Sequence, residues 1–122
     1  MSKPNTLKID EIEYVRKDSI DKPAQELDGM KYVICRTYSA GVFAGYLESK
    51  DGQEVVLRNS RRLWYWDGAA SLSQLAVEGV KKPENCKFPR VVSRTELMQA
   101  IEILYCTENA RINIQGVKIW EK

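Results

Sequence analysis

A chain of 122 residues, 43% hydrophobic and 30% charged, is expected to form one soluble globular domain that buries a core without metal or disulfide support. A formal net charge of +2 argues against duplex DNA as a partner, which calls for a basic stripe, yet leaves room for a small anionic ligand met by a few local cations. The chain has no histidine, so the usual general base and every Ser-His or Cys-His pair are excluded.

Residues 1–29 read as a polar, charge-dense arm ahead of a single ligand-binding domain over 30–122. The start MSKPNTLKIDEIEY lacks the apolar stretch of a signal peptide, and no run approaches the roughly 18 apolar residues of a membrane span. Within the arm, Ile12 to Lys17 suits a short strand. Lys22 to Gly29 carries Pro23 where a first helical turn tolerates it and Gly29 where a helix stops.

KYVICRTY, Lys31 to Tyr38, alternates and is rich in β-formers, with Tyr32, Ile34 and Arg36 on one side and Val33, Cys35 and Thr37 on the other. After the small-residue break Ser39 to Gly41, VFAGYLES predicts a second strand, in which Gly45 marks a bulge or a close backbone approach. Asp51-Gly52 is a strong hairpin signal. Glu54 to Trp66 supplies a third stretch, with a break expected at Asn59-Ser60.

DGAASLSQLAVEG predicts a helix capped by Asp67 and Gly79, with Leu72, Leu75 and Ala76 on its apolar face. Lys81 to Arg90 is a loop with two prolines. SRTELMQAIEILYC fits two states: Ser93 and Glu96 make a capping box, whereas Ile101, Ile103 and Tyr105 alternate as in a strand. Thr107 to Gly116 predicts a short capped helix and Val117 to Trp120 a closing strand. The expected fold class is therefore α+β, an antiparallel β-meander with two or three short helices. The three cysteines, Cys35, Cys86 and Cys106, lack CxxC spacing and read as reduced packing residues, with no metal or cofactor implied.

The chemistry concentrates in NSRRLWYW, Asn59 to Trp66. In a strand, Arg62, Trp64 and Trp66 share a face, which suits base stacking beside a phosphate contact as well as it suits a buried aromatic face. A second constellation, CRTYSAGVFAG, places Arg36 before Ser39, Ala40 and Gly41, where a guanidinium and open backbone N–H groups can cradle phosphate. A tight turn with Gly41 at positive φ explains the same residues. Gly68 to Ser71 add the N-terminus of a helix. Arg90, Arg94 and Arg111 are candidates for an oligomer contact or a second anion site. The candidate ligand-binding set is Arg36, Ser39, Gly41, Asn59, Arg61, Arg62, Trp64 and Trp66. Trp64 or Trp66 would stack a base, Arg36 and Arg62 would meet phosphate, and Ser39 and Asn59 would orient the ligand.

The run from KYVICRTYSAGVFAGYLESKDGQEVVLRNSRRLWYWDGAASLSQLAVEGV through AIEILYCTENA to VKIW resembles a family of small phage and prophage proteins, the Thoeris anti-defence signal sponges. The resemblance implies a non-enzymatic protein of the host bacterial cytoplasm. Such a protein holds a cyclic ADP-ribose-type immune signal without cleaving it, and in some members takes cyclic oligonucleotides at a second site of a symmetric oligomer. The aromatic content independently suggests a homo-oligomer, at least a dimer. Two other readings stay open: a module that binds and blocks a host protein, and an enzyme using Tyr38, Glu48 or Glu54.

Overall fold

The structure, a computed structural model, describes residues 22–122. The strand expected at 12–17 lies outside them. Five strands form one antiparallel sheet: β1 (Tyr32–Thr37), β2 (Val42–Asp51), β3 (Glu54–Arg62), β4 (Val92–Leu97) and β5 (Ala100–Tyr105), in the order β4-β3-β2-β1-β5. Two helices complete the α+β fold, α1 (Leu72–Glu78) and α2 (Glu108–Gly116), with a single 3₁₀ turn at Pro83–Asn85.

Residues 92–105 resolve as two strands rather than a helix. Only Met98 and Gln99 separate β4 from β5, yet these strands occupy opposite edges of the sheet. A flat sheet of five strands is about 19 Å wide, and three residues span at most about 11 Å. The sheet must therefore curl until its edges approach. Gln99 accepts from the Tyr38 N–H at 2.9 Å and the Ala100 N–H donates to Gln53 at 3.0 Å, stitching the link to the ends of β1 and β3.

The curl gives the sheet two apolar faces. Inside lie Val33, Cys35, Phe43, Val55, Leu57, Leu97 and Ala100. The outer face carries Tyr32, Ile34, Ala44 and Tyr46, packed beneath Leu63, Leu75, Phe88, Ala110 and Ile114. This is why β1 is buried on both sides and its alternation shows no polar face until Arg36.

Register is set by bulges. Ala44 pairs with Arg61 and Tyr46 with Arg58, so β3 carries one residue more than β2 opposite Gly45. Asn59 absorbs it at φ 49, and β3 runs through Asn59-Ser60 where a break was expected. A Cβ on Gly45 would lie 2.6 Å from Ser60 Cβ and 2.8 Å from Ser60 Cα. Gly45→Ala is expected to cost about 1–3 kcal/mol, because the strands must part at a bulge that fixes register. Urea unfolding measures it, and an unchanged midpoint would show that the bulge yields freely.

The hairpin turn has Gly52 and Gln53 as its central pair, one residue later than the Asp-Gly signal suggested, with Gly52 at φ 60. α1 is capped by Ser71, whose Oγ accepts from the Gln74 N–H at 3.1 Å. Asp67, the expected cap, instead accepts from the Asn85 amide at 2.9 Å. α2 follows its expected cap, Thr107 Oγ1 accepting from the Ala110 N–H. Two expected elements are corrected. Lys22 to Gly29 is not helical; Pro23 bridges Thr107, and the Ala24 N–H donates to Cys106. The C-terminal VKIW makes one parallel bridge, Phe88 to Ile119, and adds no strand to the sheet.

Candidate functional site: an arginine cleft

Cross-strand partners project from the same face of a sheet. Cys35, Phe43 and Arg62 are aligned across β1, β2 and β3, as are Ile34, Ala44 and Arg61 on the opposite face. The two adjacent arginines therefore have different fates.

Arg61 turns toward the outer core and is 3% exposed. Its guanidinium donates to the carbonyls of Phe88 (2.7 Å), Pro89 (3.1 Å), Ile114 (3.1 Å) and Val117 (2.9 Å). Burial pulls its pKa down from the ordinary arginine value, and the nearby Tyr32 hydroxyl opposes that shift. The expectation that Arg61 meets a ligand is thus corrected: its donors are committed to tying the 88–89 segment and the end of α2 to the sheet.

Arg62 turns to the inner face, where its guanidinium lies 4.7 Å from the centroid of the Phe43 ring. It lines an open cleft of about 430 Å³ together with Phe43, Ser60, Arg90, Arg94 and Glu96. Arg90 and Arg94, grouped from sequence with Arg111, border the same cleft, but Arg94 is aligned with Arg58 and Tyr46, so it projects from the face opposite Arg62. Arg111 is elsewhere, bound to Glu108 and Gln115 on α2. Ser60 Oγ and Thr95 Oγ1 are 2.8 Å apart at the cleft wall.

The cations in and around the cleft differ in how firmly they are held. Arg94 Nη1 meets Glu96 at 2.9 Å and its Nε meets Glu48 at 3.4 Å. Both carboxylates raise the Arg94 pKa, chiefly through these hydrogen bonds. Arg90 pairs with Glu121 at 2.8 Å. Arg62 has no ion pair among the described residues, only the face of Phe43. It is the most available cation for an incoming anion.

The remaining sequence candidates do not join Arg62. Arg36 lies on the opposite face, paired with Glu102 at 2.9 Å. Ser39 donates to Gln99 at 3.2 Å, and Gly41, at φ 105, closes a turn in which Thr37 donates twice to its carbonyl. Asn59 is the exposed bulge residue. Trp66 is half-buried against the outer core, whereas Trp64 stays 63% exposed. Of the donors before α1, the Ala70 N–H is taken up by Gln74 Oε1 at 2.9 Å.

A second feature was hidden in the sequence. Lys87 Nζ lies 5.9 Å from the Tyr65 ring and 5.6 Å from the Trp120 ring, and both rings are about half exposed. The three cysteines are free and buried. Burial pushes the Cys35 thiol up to about 11 and that of Cys106 to about 12, so both stay protonated packing groups. No helix among the described residues is long and apolar enough to cross a membrane.

Residues 30–114 match a family described as a domain of unknown function, DUF6948. No curated protein and no solved structure matches the chain. The matched span takes in all five strands, α1 and most of α2, hence both walls of the cleft as far as Glu96. The chain belongs to the DUF6948 family.

Proposed function

We propose that this protein binds a phosphate-bearing nucleotide in the arginine cleft and sequesters it without cleaving it. The observation that carries this reading is Arg62, a cation without an ion pair among the described residues, held over the Phe43 ring in a cleft that Arg90, Ser60 and Thr95 also line. Forked guanidinium groups suit phosphate oxygens, and hydroxyls can orient them. Glu96, the one carboxylic residue bordering the cleft, is engaged by Arg94 and projects from the face opposite Arg62, so it is poorly placed as a general base. The resemblance to the Thoeris anti-defence sponges narrows the ligand to a cyclic ADP-ribose-type signal, held in the host bacterial cytoplasm. Trp64, exposed two residues beyond Arg62, is offered to the base or to a second subunit. A dimer at least would cover such surface.

The test is to purify the protein from cells making the signal, release bound material by heat, and identify it by mass spectrometry. An intact cyclic nucleotide at a fixed ratio to protein is expected, with uptake that saturates. Continuous consumption of added nucleotide would overturn the sponge. The exposed rings of Tyr65 and Trp120 around Lys87 favour a second reading, a module that docks on a host protein. Recovery of a host protein with no nucleotide would favour that reading.

A further inference from the structure

The backbone groups of an edge strand must find a partner or stay in water. Among the described residues β5 pairs with β1 alone. The Cys106 N–H donates to the Tyr32 carbonyl at 3.1 Å, and the register continues as Leu104 with Ile34 and Glu102 with Arg36. In an antiparallel ladder these alternate residues turn their N–H and C=O toward β1, so Ile103 and Tyr105 turn theirs to the open side. Ile101 sits at the bulge between Glu102 and Ala100 on the same edge. The Ala24 N–H, which donates to the Cys106 carbonyl, lies just beyond the strand.

This edge is apolar. Ile103 and Tyr105 are aligned with Cys35 and Val33 and lie on the inner side of the sheet, where a groove of about 280 Å³ is lined by Lys50, Val55, Ile101, Ile103 and Tyr105. Ile101 and Tyr105 are exposed. The one charge on β5, Glu102, is on the other side and accepts from Arg36 at 2.9 Å. The far edge of the sheet is built differently. There β4 carries exposed Ser93, Arg94 and Glu96, the charged composition that keeps a strand edge from pairing.

We infer that β5 is a homodimer seam, at which the β5 strands of two copies pair antiparallel about a two-fold axis at Ile103 and join two sheets into one. Ile103 exchanges both backbone bonds with Ile103 of the partner subunit, and Ile101 does so with Tyr105 of the partner subunit. The strand is self-complementary in this register. Apolar residues face each other on the inner side, and on the outer side Glu102 meets Leu104 of the partner subunit, so no like charges are opposed. An isologous contact of this kind closes at two copies. The chain's own arm is badly placed for the same seat. Pro23 bridges Thr107 in the antiparallel sense and the Lys22 carbonyl accepts from the Glu108 N–H at 2.8 Å, so where the described residues begin the backbone heads away from Tyr105 toward lower numbers. This inference is independent of the nucleotide reading, and it gives the dimer suggested by aromatic surface a defined contact.

Sedimentation equilibrium of the full chain over roughly 1–200 μM, the range in which a small edge-to-edge interface assembles, is expected to show monomer and dimer in exchange. Ile103→Pro removes an N–H that β1 does not use, a change that edge strands tolerate. By symmetry it deletes two bonds of the seam, so the dimer should weaken about tenfold or more. Ile103→Ala trims the same side chain but keeps the N–H and should weaken it less. Hydrogen exchange of the wild-type protein gives a second readout, which decides the matter if the proline variant does not fold. The Ile103 and Tyr105 amides should gain protection only as the dimer forms. A monomer throughout the range would overturn the seam. Protection of those amides in the monomer would overturn it too, because the chain's own arm then covers the edge. A dimer that leaves the amides unprotected, or that Ile103→Pro does not weaken, puts the contact elsewhere. Assemblies larger than two copies would replace the two-fold seam by a head-to-tail contact.

Discussion

Replacing Arg61 with methionine is expected to destabilise the protein by about 3–5 kcal/mol, the scale for removing one partner of a buried charged network. The side chain is 3% exposed and holds four carbonyls from two segments that the sheet ladder does not reach. Two of those carbonyls keep a backbone donor: Phe88 accepts from the Trp120 N–H at 3.0 Å and Ile114 from the Val117 N–H at 3.3 Å. Methionine fills much of the volume but donates nothing, so Val117 is left with a buried oxygen, costing about 1–3 kcal/mol, and Pro89 with a part-buried one that costs less. The loss should concentrate where α2 and the 88–89 segment meet the sheet, since Arg61 is the strut between them. Arg61→Lys keeps the charge but offers one donor group in place of a planar fork, and should fall between the two. Urea unfolding gives the free energies, and hydrogen exchange should show α2 opening first. A methionine variant within about 1 kcal/mol of wild type would mean that the carbonyls find other donors.

Arg61 also shows what the sequence could and could not disclose. Its neighbour Arg62 has the same side chain and the same local context, yet one is core and the other faces the cleft. Alternation says that they point apart, but not which face is covered. That was decided by the 29 residues between β3 and β4, whose α1 and 88–89 segment pack on the outer face. The strands of the first hairpins were legible because Val, Ile, Tyr and Phe alternate there and turn residues punctuate them. So were the α2 cap and the close approach at Gly45. Residues 93–105 stayed ambiguous because their apolar spacing fits both periods; pairing with β3 and β1, distant in sequence, selects the strands. The VKIW segment has strand composition but finds every central edge taken, so it settles for one bridge to Phe88.

The same long-range pairing explains the partial legibility of the site. Arg36 and Arg62 look equivalent as phosphate ligands in a linear reading. Register puts them on opposite faces, because Arg36 pairs with Val42 while Phe43, the next residue, pairs with Arg62. Arg94 comes to the border of the cleft only because β4 adds beside β3 after a long excursion, and there it faces Arg58 rather than Arg62. Its sequence signal was modest: in a strand, Arg94 and Glu96 share a face, a charged edge whose purpose cannot be read without its neighbour.

Arg62→Ala is expected to weaken nucleotide binding by about 1.5–3 kcal/mol, the range for a hydrogen bond to a charged group, or about tenfold to more than a hundredfold in Kd. The reason is its lack of an ion pair. A phosphate meeting Arg94 or Arg90 must compete with Glu96, Glu48 or Glu121, so part of each gain is offset by a broken pair. A phosphate meeting Arg62 breaks no ion pair among the described residues and keeps the cation over Phe43. Arg94→Ala should therefore cost less than Arg62→Ala, since Arg94 is held by Glu96 and Glu48 and projects from the opposite face. Arg36→Ala is the internal control, being on the far face and tied to Glu102. Stability should barely change in the Arg62 and Arg36 variants, because both side chains are exposed. Calorimetry with cyclic ADP-ribose at two salt concentrations reads all three, and the Arg62 variant should show the shallower salt dependence of a site that has lost a cation. Unchanged affinity in Arg62→Ala with a loss in Arg36→Ala would move the binding site to the opposite face of the sheet and remove the arginine cleft from the account.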